Sequence, residues 1–518
     1  MPTDLRDFSS RLFKAADQLW TNTDLRPDQY AQPVLALIAL RQMEAKFEQI
    51  HSVLAPQYKG RLKPAPEDYQ ARGAVFLPDN ARLSRLLALP GTADLGAELN
   101  AAMKAIAENN PDLAGVLPQG YAGLPNDVLQ ELLRLLAPLK IEGDAYGLIF
   151  EYFMGQFASN YMQKGGEFFT PASIVRLIVN IIEPYHGAIF DPACGSGGMF
   201  THSAQFVARH HKEPSKEISI YGVEKMSDTL KLCRMNLAVH GLSGEIRVAN
   251  SYYDDPHKLI GRFDFVMANP PFNQPEVDRA KLVNDAGKVD ARFPLGLPTV
   301  NNANYIWINL FYAALNEKGR AGFVMANSAS DASSELEIRK RLIETGAVDC
   351  IVAVGPNMFL TVTLPVTLWF LDKGKSKGPR GDQVLFVDAR HIFRQIDRAH
   401  RAFDPDHIEF LSNIARLWRG EEIETEAGSG PRLAQAFPGG KYNDVAGLCK
   451  AVSRKEIEAE EWSLNPGRYV GVAPGEAQDD GQFKEKLEAL QEELEGLNAQ
   501  AAQLQARIAQ DVAELLDT

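Results

Sequence analysis

Asp191-Pro192-Ala193-Cys194-Gly195-Ser196-Gly197-Gly198-Met199-Phe200 is the stretch whose reading decides the fold. The apolar run Ala188-Ile189-Phe190 leads into it and predicts a strand, and the residues after it have helical period. Glycines at the turn let backbone approach a ligand that a Cβ would hold off. Asp191, at the strand's end, can bind an ammonium group. Ala193, Gly195, Ser196, Gly197 and Gly198 are the candidate ligand contacts of the turn. A G-x-G turn also occurs as a plain tight turn, so the segment needs support from its neighbours.

That support comes from the strands downstream. Ile218 to Val223 ends at Glu224, and in dinucleotide folds an acid at that place takes ribose hydroxyls. Glu224 lies 33 residues after Asp191, against about 20 in the dinucleotide pattern, so a long helix or loop is expected between them. Ile246-Arg247-Val248 brings Asn250 to a third strand end, where its amide can hydrogen-bond an adenine ring. Phe263 to Ala268 is followed by Asn269-Pro270-Pro271-Phe272. Paired prolines cannot donate to a sheet ladder and force the chain out of it in a rigid conformation. Asn269 is thereby held at the strand's carboxyl end with a carbonyl to accept, and Phe272 offers a flat face. The combination suits gripping an exocyclic amino group while a planar ring stacks.

Further candidate strands are Ala321 to Ala326, Cys350 to Val354 and Val366 to Leu371, separated by helical stretches such as Ile306 to Leu315 and Ser334 to Thr345. The alternation predicts an α/β fold with a mostly parallel, doubly wound sheet and ligands at the strands' carboxyl ends.

These residues resemble the amino-methyltransferases that use S-adenosyl-L-methionine. Their signatures are the glycine loop, the ribose-binding acid and a D/N/S-P-P-Y/F box. Upstream, Gly166-Glu167-Phe168-Phe169-Thr170-Pro171 resembles the segment that approaches the methionine end of the cofactor. Its place ahead of the glycine loop matches the adenine-specific group. The D-P-A-C-G-S-G-G form is similar to the modification subunit of type I restriction-modification systems. Leu19-Trp20, Leu315 to Asn327 and Trp462 to Val470 extend the likeness over most of the chain; Asn250 departs from the Asp common at its position.

The resemblance implies a Rossmann-like methyltransferase with an all-helical N-terminal domain and a long C-terminal helix. It implies transfer of a methyl group to the amino group of a flipped-out adenine, with Asn269, Pro270, Pro271 and Phe272 catalytic. The cofactor would be held by Glu167, Phe168, Phe169, Thr170, Pro171, Asp191, the glycine turn, Glu224 and Asn250. The expected partners are double-stranded DNA, a specificity subunit that reads the target, a second copy of the chain and a restriction nuclease subunit. The alternative is an RNA or protein-glutamine amino-methyltransferase with the same N-P-P-F chemistry. A non-catalytic scaffold is disfavoured by intact Asp191, Glu224, Asn269 and Phe272.

The chain's 518 residues leave room for about three domains. Residues 1–145 read as helical, with the stripe Val128, Leu129, Leu132, Leu133, Leu136 and a cap at Asn126 or Asp127. Residues 146–401 hold the catalytic domain and 402–479 an acidic connecting region. Over 480–518, Phe483, Leu487, Leu490, Leu494, Leu497, Ala501, Leu504 and Ile508 keep a 3.5-residue repeat. That repeat predicts a coiled-coil-like helix for docking another subunit, the alternative being a helix that packs on the same chain. The four cysteines are far apart with no metal-ligand spacing, so no metal is expected. With no apolar run long enough to span a membrane, the expected location is the cytoplasm, on DNA.

The net charge of −13 argues at first against a nucleic-acid partner. Its distribution removes the objection: residues 402–518 hold 11 basic and 23 acidic side chains, and residues 1–401 hold 43 and 44. The catalytic body is near neutral. Residues 373–401 carry eight Lys or Arg against three acids, and Arg390, Arg394 and Arg398, if helical, would share one face that either contacts phosphate or is simply solvated.

Overall fold

The computed structural model describes residues 11–16, 27–58, 63–138, 149–150, 152–153, 170–274, 277–283, 287–298, 303–359, 365–397 and 400–472. The heptad helix expected over 480–518 lies outside them. Among the described residues no strand precedes Gly187, and no helix is long and apolar enough to cross a membrane.

The N-terminal helices pack around α1 (Pro27–Leu54), α2 (Leu95–Asn109) and α3 (Asn126–Leu136). The α3 stripe Val128, Leu129, Leu132, Leu133 and Leu136 is buried as its spacing predicts. Asn126 is not the α3 cap, a place taken by Pro125. It reaches across to α2 instead, accepting from Leu95 N (3.0 Å) and donating to Ala93 O (2.8 Å).

Among the described residues nine strands form one sheet: β1 (Gly187–Asp191), β2 (Ile218–Glu224), β3 (Gly244–Val248), β4 (Phe263–Ala268), β5 (Leu315–Ala326), β6 (Val348–Val354), β7 (Val366–Asp372), β8 (Gln383–Asp388) and, after the short hairpin β9 (Arg394–Gln395) and β10 (Arg401–Ala402), β11 (Cys449–Ser453). Their order is β11-β8-β6-β7-β5-β4-β1-β2-β3. Pairing is parallel from β3 through β5 and between β6 and β8; β7 runs antiparallel between β5 and β6, and β11 antiparallel on β8. Every residue of β6 and β7 is buried, which is why they read as unbroken apolar runs.

Helices cover both faces. One face carries α4 (Ala172–Ile182), α5 (Gly198–Arg209), α6 (Ser227–Val239) and α9 (Pro405–Arg419); the other carries α7 (Asn304–Ala314) and α8 (Leu336–Glu344). Residues 402–472, expected to be a connector, are built into this core. Helix α9 places Arg416 against Glu183 (2.7 Å) and Arg419 against the fully buried Asp349 (2.7 Å). Stranding one member of such a pair costs about 3–5 kcal/mol.

Helix α6 is buried on two sides. Leu230, Cys233 and Leu237 join the core under the sheet, while Leu232, Met235, Ala238 and Val239 join the core of the N-terminal helices. Lys46 of α1 donates to His240 O (3.3 Å) at the end of α6.

Candidate functional site

The carboxyl ends of β3, β2, β1 and β4 stand side by side in the sheet, and with them Asn250, Glu224, Asp191 and Asn269. Asp191 closes β1, nearly fully buried, and accepts from Ala193 N (2.9 Å). The turn then crosses to β2, where Cys194 N donates to Val223 O (3.1 Å) and Gly195 N to Glu224 Oε2 (3.1 Å). The other Glu224 oxygen accepts from Met226 N (2.9 Å), so backbone amides from two segments aim the carboxylate.

Gly195 and Gly197 have φ of +53° and +82°, values that favour glycine. At Gly197 the approach is also close, since a Cβ would lie 2.8 Å from Cys233 Sγ. Asn236 Nδ2 donates to Ser196 O (2.9 Å) from α6. The glycine turn therefore rests on α6 as well as opening α5. The long β1–β2 spacing is taken up by α5 and a further short helix, Pro214–Glu217.

Burial raises the pKa of Asp191 well above the usual carboxylate range, and Glu224 adds to the shift. A carboxylate so placed calls for a cation. The ammonium of an amino-acid moiety on S-adenosyl-L-methionine fits it, with Glu224 aimed as an acceptor for ribose hydroxyls one strand away. The glycines of the turn between the two, with open space beside Gly195 and Gly198, leave room for the body of such a ligand.

Asn250 spends its side-chain oxygen locally, accepting from Tyr252 N (3.1 Å). The loop it opens is held by a residue that sequence reading missed. Arg292, almost fully buried, donates to the carbonyls of Ser251 (3.3 Å), Tyr252 (3.4 Å), Tyr253 (3.3 Å) and Asp254 (3.0 Å). Ser251 Oγ in turn donates to Pro192 O (2.6 Å), linking this loop to the glycine turn.

Asn269 leaves β4 half-buried, with its Nδ2 donating to Thr170 Oγ1 (2.8 Å). That bond joins the segment before the glycine turn to the N-P-P-F segment and sets the orientation of the amide. Pro270 is buried, and Phe272 packs its ring partly against the core under the sheet. Thr170 and Pro171 are half-buried at the start of α4; Glu167, Phe168 and Phe169 lie outside the described residues.

All four cysteines are buried free thiols. Hydrogen bonding to Cys233 and burial raise the pKa of Cys194, and burial raises that of Cys350 and, to about 12, that of Cys449. None of these three is poised as a nucleophile. Asp404, Asp406 and His407 form a cluster with ligand atoms within 4.8 Å of one another. The His407 nitrogens face Asp404 N (3.2 Å) and Arg432 (3.2 Å), so the cluster caps α9.

The expected basic helix face is absent. Arg390 follows β8 and pairs with Asp388 (2.5 Å), while Arg394 lies in β9 and pairs with Asp404 (2.8 Å). Lys375 is buried, and Arg398 lies outside the described residues. Asp388 was already within the local charge count, whereas Asp404, the partner of Arg394, lies beyond it.

Residues 141–478 match the family model for N-6 DNA methylases. This chain belongs to that family. Residues 8–136 match a second model, the HsdM N-terminal domain. A type I restriction enzyme methylase subunit, MjaIX, of Methanocaldococcus jannaschii is 33% identical, with 99% of this chain and 91% of the relative aligned. The HindI methylase subunit of Haemophilus influenzae is 34% identical over 80% of this chain and 91% of its own length. Among solved structures, a type I restriction-modification methyltransferase subunit from Streptococcus thermophilus superposes with a TM-score of 0.67 at 20% identity, covering 90% of this chain and all of that one. The N-6 DNA methylase is thus of the modification-subunit type. It uses S-adenosyl-L-methionine to methylate adenine in DNA.

Proposed function

We propose that the chain methylates the amino group of an adenine swung out of the duplex, as the modification subunit of a type I assembly whose target is read by a separate specificity subunit. The observation that carries the reading is the juxtaposition of Asn269, fixed through Thr170 Oγ1 at 2.8 Å, with Asp191 and Glu224 on neighbouring strand ends.

Adenine's amino nitrogen is a poor nucleophile because its lone pair is delocalised into the ring. Asn269 Oδ1 and the Pro270 carbonyl accept hydrogen bonds from its two N–H groups and favour tetrahedral geometry at nitrogen, which localises the lone pair for in-line attack. Bound S-adenosyl-L-methionine supplies the electrophilic methyl group on its sulfonium. Asp191 holds the ammonium of the cofactor and Glu224 its ribose; Asn250, through its Nδ2, meets the adenine moiety. In this reading Glu167, Phe168, Phe169, Thr170 and Pro171 contact the methionine end. The chain's work is largely positioning. A stacked base cannot reach this site, so it is flipped, and Phe272 stacks on it, returning about 1–3 kcal/mol.

The relatives' names supply the assembly: a methylase subunit of a type I enzyme works beside other subunits. In this reading two copies of the chain join one specificity subunit through residues 480–518, and a nuclease subunit completes the system. The alternative RNA substrate has narrower support. A ribosomal RNA small subunit methyltransferase C of Klebsiella pneumoniae is 28% identical over only 19% of this chain.

Genome-wide mapping of modified bases, with and without this gene, tests the proposal. We expect N6-methyladenine at one target sequence, lost on deletion of the gene and on deletion of the specificity gene. An Asn269→Ala chain should restore less than about one-hundredth of the rate, the scale seen when one preorganised polar group is removed from a site. Full methylation by Asn269→Ala would refute the catalytic assignment.

A further inference from the structure

The Asn-Pro-Pro-Phe segment is held at both ends. At its start, β4 pairs with β1 and β5, and Asn269 is bonded to Thr170. At its end, Asn273 lies in the left-handed region with φ of +50°. One side chain engages both its backbone and its amide. Asn273 N donates to Asn304 Oδ1 (2.9 Å), and Asn304 Nδ2 donates to Asn273 Oδ1 (2.8 Å).

Asn304 is fully buried in the first turn of α7, and α7 is itself anchored. Tyr305 OH donates to Ala329 O (2.8 Å), Asn309 accepts from Leu295 N (2.9 Å), and the Trp307 ring lies against Tyr252 with centroids 4.8 Å apart. Between the two fixed ends, each proline locks its own φ, so few free torsions remain around Phe272.

We infer that Asn304 is a positioning residue for the target adenine. Its two-pronged hold on Asn273 sets where the Phe272 ring lies and how Asn269 faces the amino nitrogen. The inference rests on the proposed role of this segment in binding a flipped adenine. Loosening the exit spreads the segment over poses of which few align nitrogen, methyl and sulfur, so the loss falls on turnover. The hold touches neither the glycine turn nor Glu224, so cofactor affinity stays.

The test uses the full chain assembled with its specificity subunit on a duplex carrying the mapped target, with 2-aminopurine replacing the target adenine in a parallel set. Loss of both hydrogen bonds in Asn304→Ala should lower kcat by about tenfold or more, with the Kd of S-adenosyl-L-methionine within about twofold of the parent. The fluorescence change of 2-aminopurine on flipping should differ from the parent's. Asn304→Asp keeps the acceptor for Asn273 N, and Asn273→Gly keeps the N–H and suits the positive φ; both should fall between. Because the two residues act as a unit, Asn304→Ala with Asn273→Gly should be no worse than Asn304→Ala alone.

A folded Asn304→Ala with kcat within about twofold of the parent overturns the inference, as do penalties that multiply in the double variant. Should Asn304→Ala fail to bind cofactor, Asn304→Asp and Asn273→Gly decide, and unchanged turnover in both overturns it. A parental complex that leaves adenine unmodified overturns the functional reading and this role with it.

Discussion

Gly197→Ala isolates what the glycine turn needs. Gly197 has φ of +82°, which costs an L-residue about 1–2 kcal/mol. The new Cβ would stand 2.8 Å from Cys233 Sγ, and overpacking of this kind costs about 1–3 kcal/mol. Cys233 cannot retreat easily, because α6 is packed against the N-terminal helices on its other side. The turn yields instead, and restoring it on binding would cost about 2–5 kcal/mol, a Kd for S-adenosyl-L-methionine raised from about 30-fold to a few thousandfold. Isothermal titration of the full chain measures this directly. Adding Cys233→Ala opens the space but leaves the backbone strain, so the pair should recover about 1–3 kcal/mol of affinity and not the remainder. A Kd for Gly197→Ala within threefold of the parent, or no recovery on removing the sulfur, would falsify this account of the turn.

Lys375, buried with its Nζ against Val348 O and Gln383 O, is pulled by burial from the 10.5 of a free lysine to about 8. Its charged form is disfavoured in the folded protein, so the unfolded chain binds more protons between those values and stability rises with pH across the window. Urea unfolding should show the parent gaining about 3 kcal/mol on Lys375→Met between pH 7 and 10.5; a flat difference rejects the assignment. Burial also raises Asp191, so the carboxyl is protonated at low pH and must ionise to meet a cation. Affinity for S-adenosyl-L-methionine should therefore climb as pH rises beyond the usual carboxylate range, and Asp191→Asn should bind weakly with no such climb in calorimetry. A parent whose affinity ignores pH sinks the ammonium-binding role.

The strands that carry chemistry were legible because their signals are local. An apolar run, a glycine turn or a proline pair can be read within ten residues, and β1, β2 and β4 lie where those signals put them. What escaped was long-range pairing. Acidic composition marked 402–479 as a connector, yet Glu409 and Arg416 within it are buried partners: Glu409 accepts from Ala427 N (2.7 Å) and Ser429 N (2.9 Å), and Arg416 meets Glu183. The basic face failed for the same reason, since Asp404 lies ten residues beyond Arg394. Asn304 sits in an asparagine-rich run that nothing in one sequence ties to Asn273. Arg292 lies about forty residues from the four carbonyls that converge on it, and no local signal ties it to them.

Helix α6 makes the N-terminal helices and the glycine turn answerable to the same thirteen residues. Leu232, Met235, Ala238 and Val239 face one unit, while Cys233 and Asn236 back the turn of the other. Excision of the sheet with its helices would bare the first four to water and unseat the support of the second pair. The methyltransferase is therefore not a cassette that travels alone. A chimera exchanging the N-terminal helices must carry a matched α6, and a subunit that pried those helices away would reach the cofactor turn without touching it.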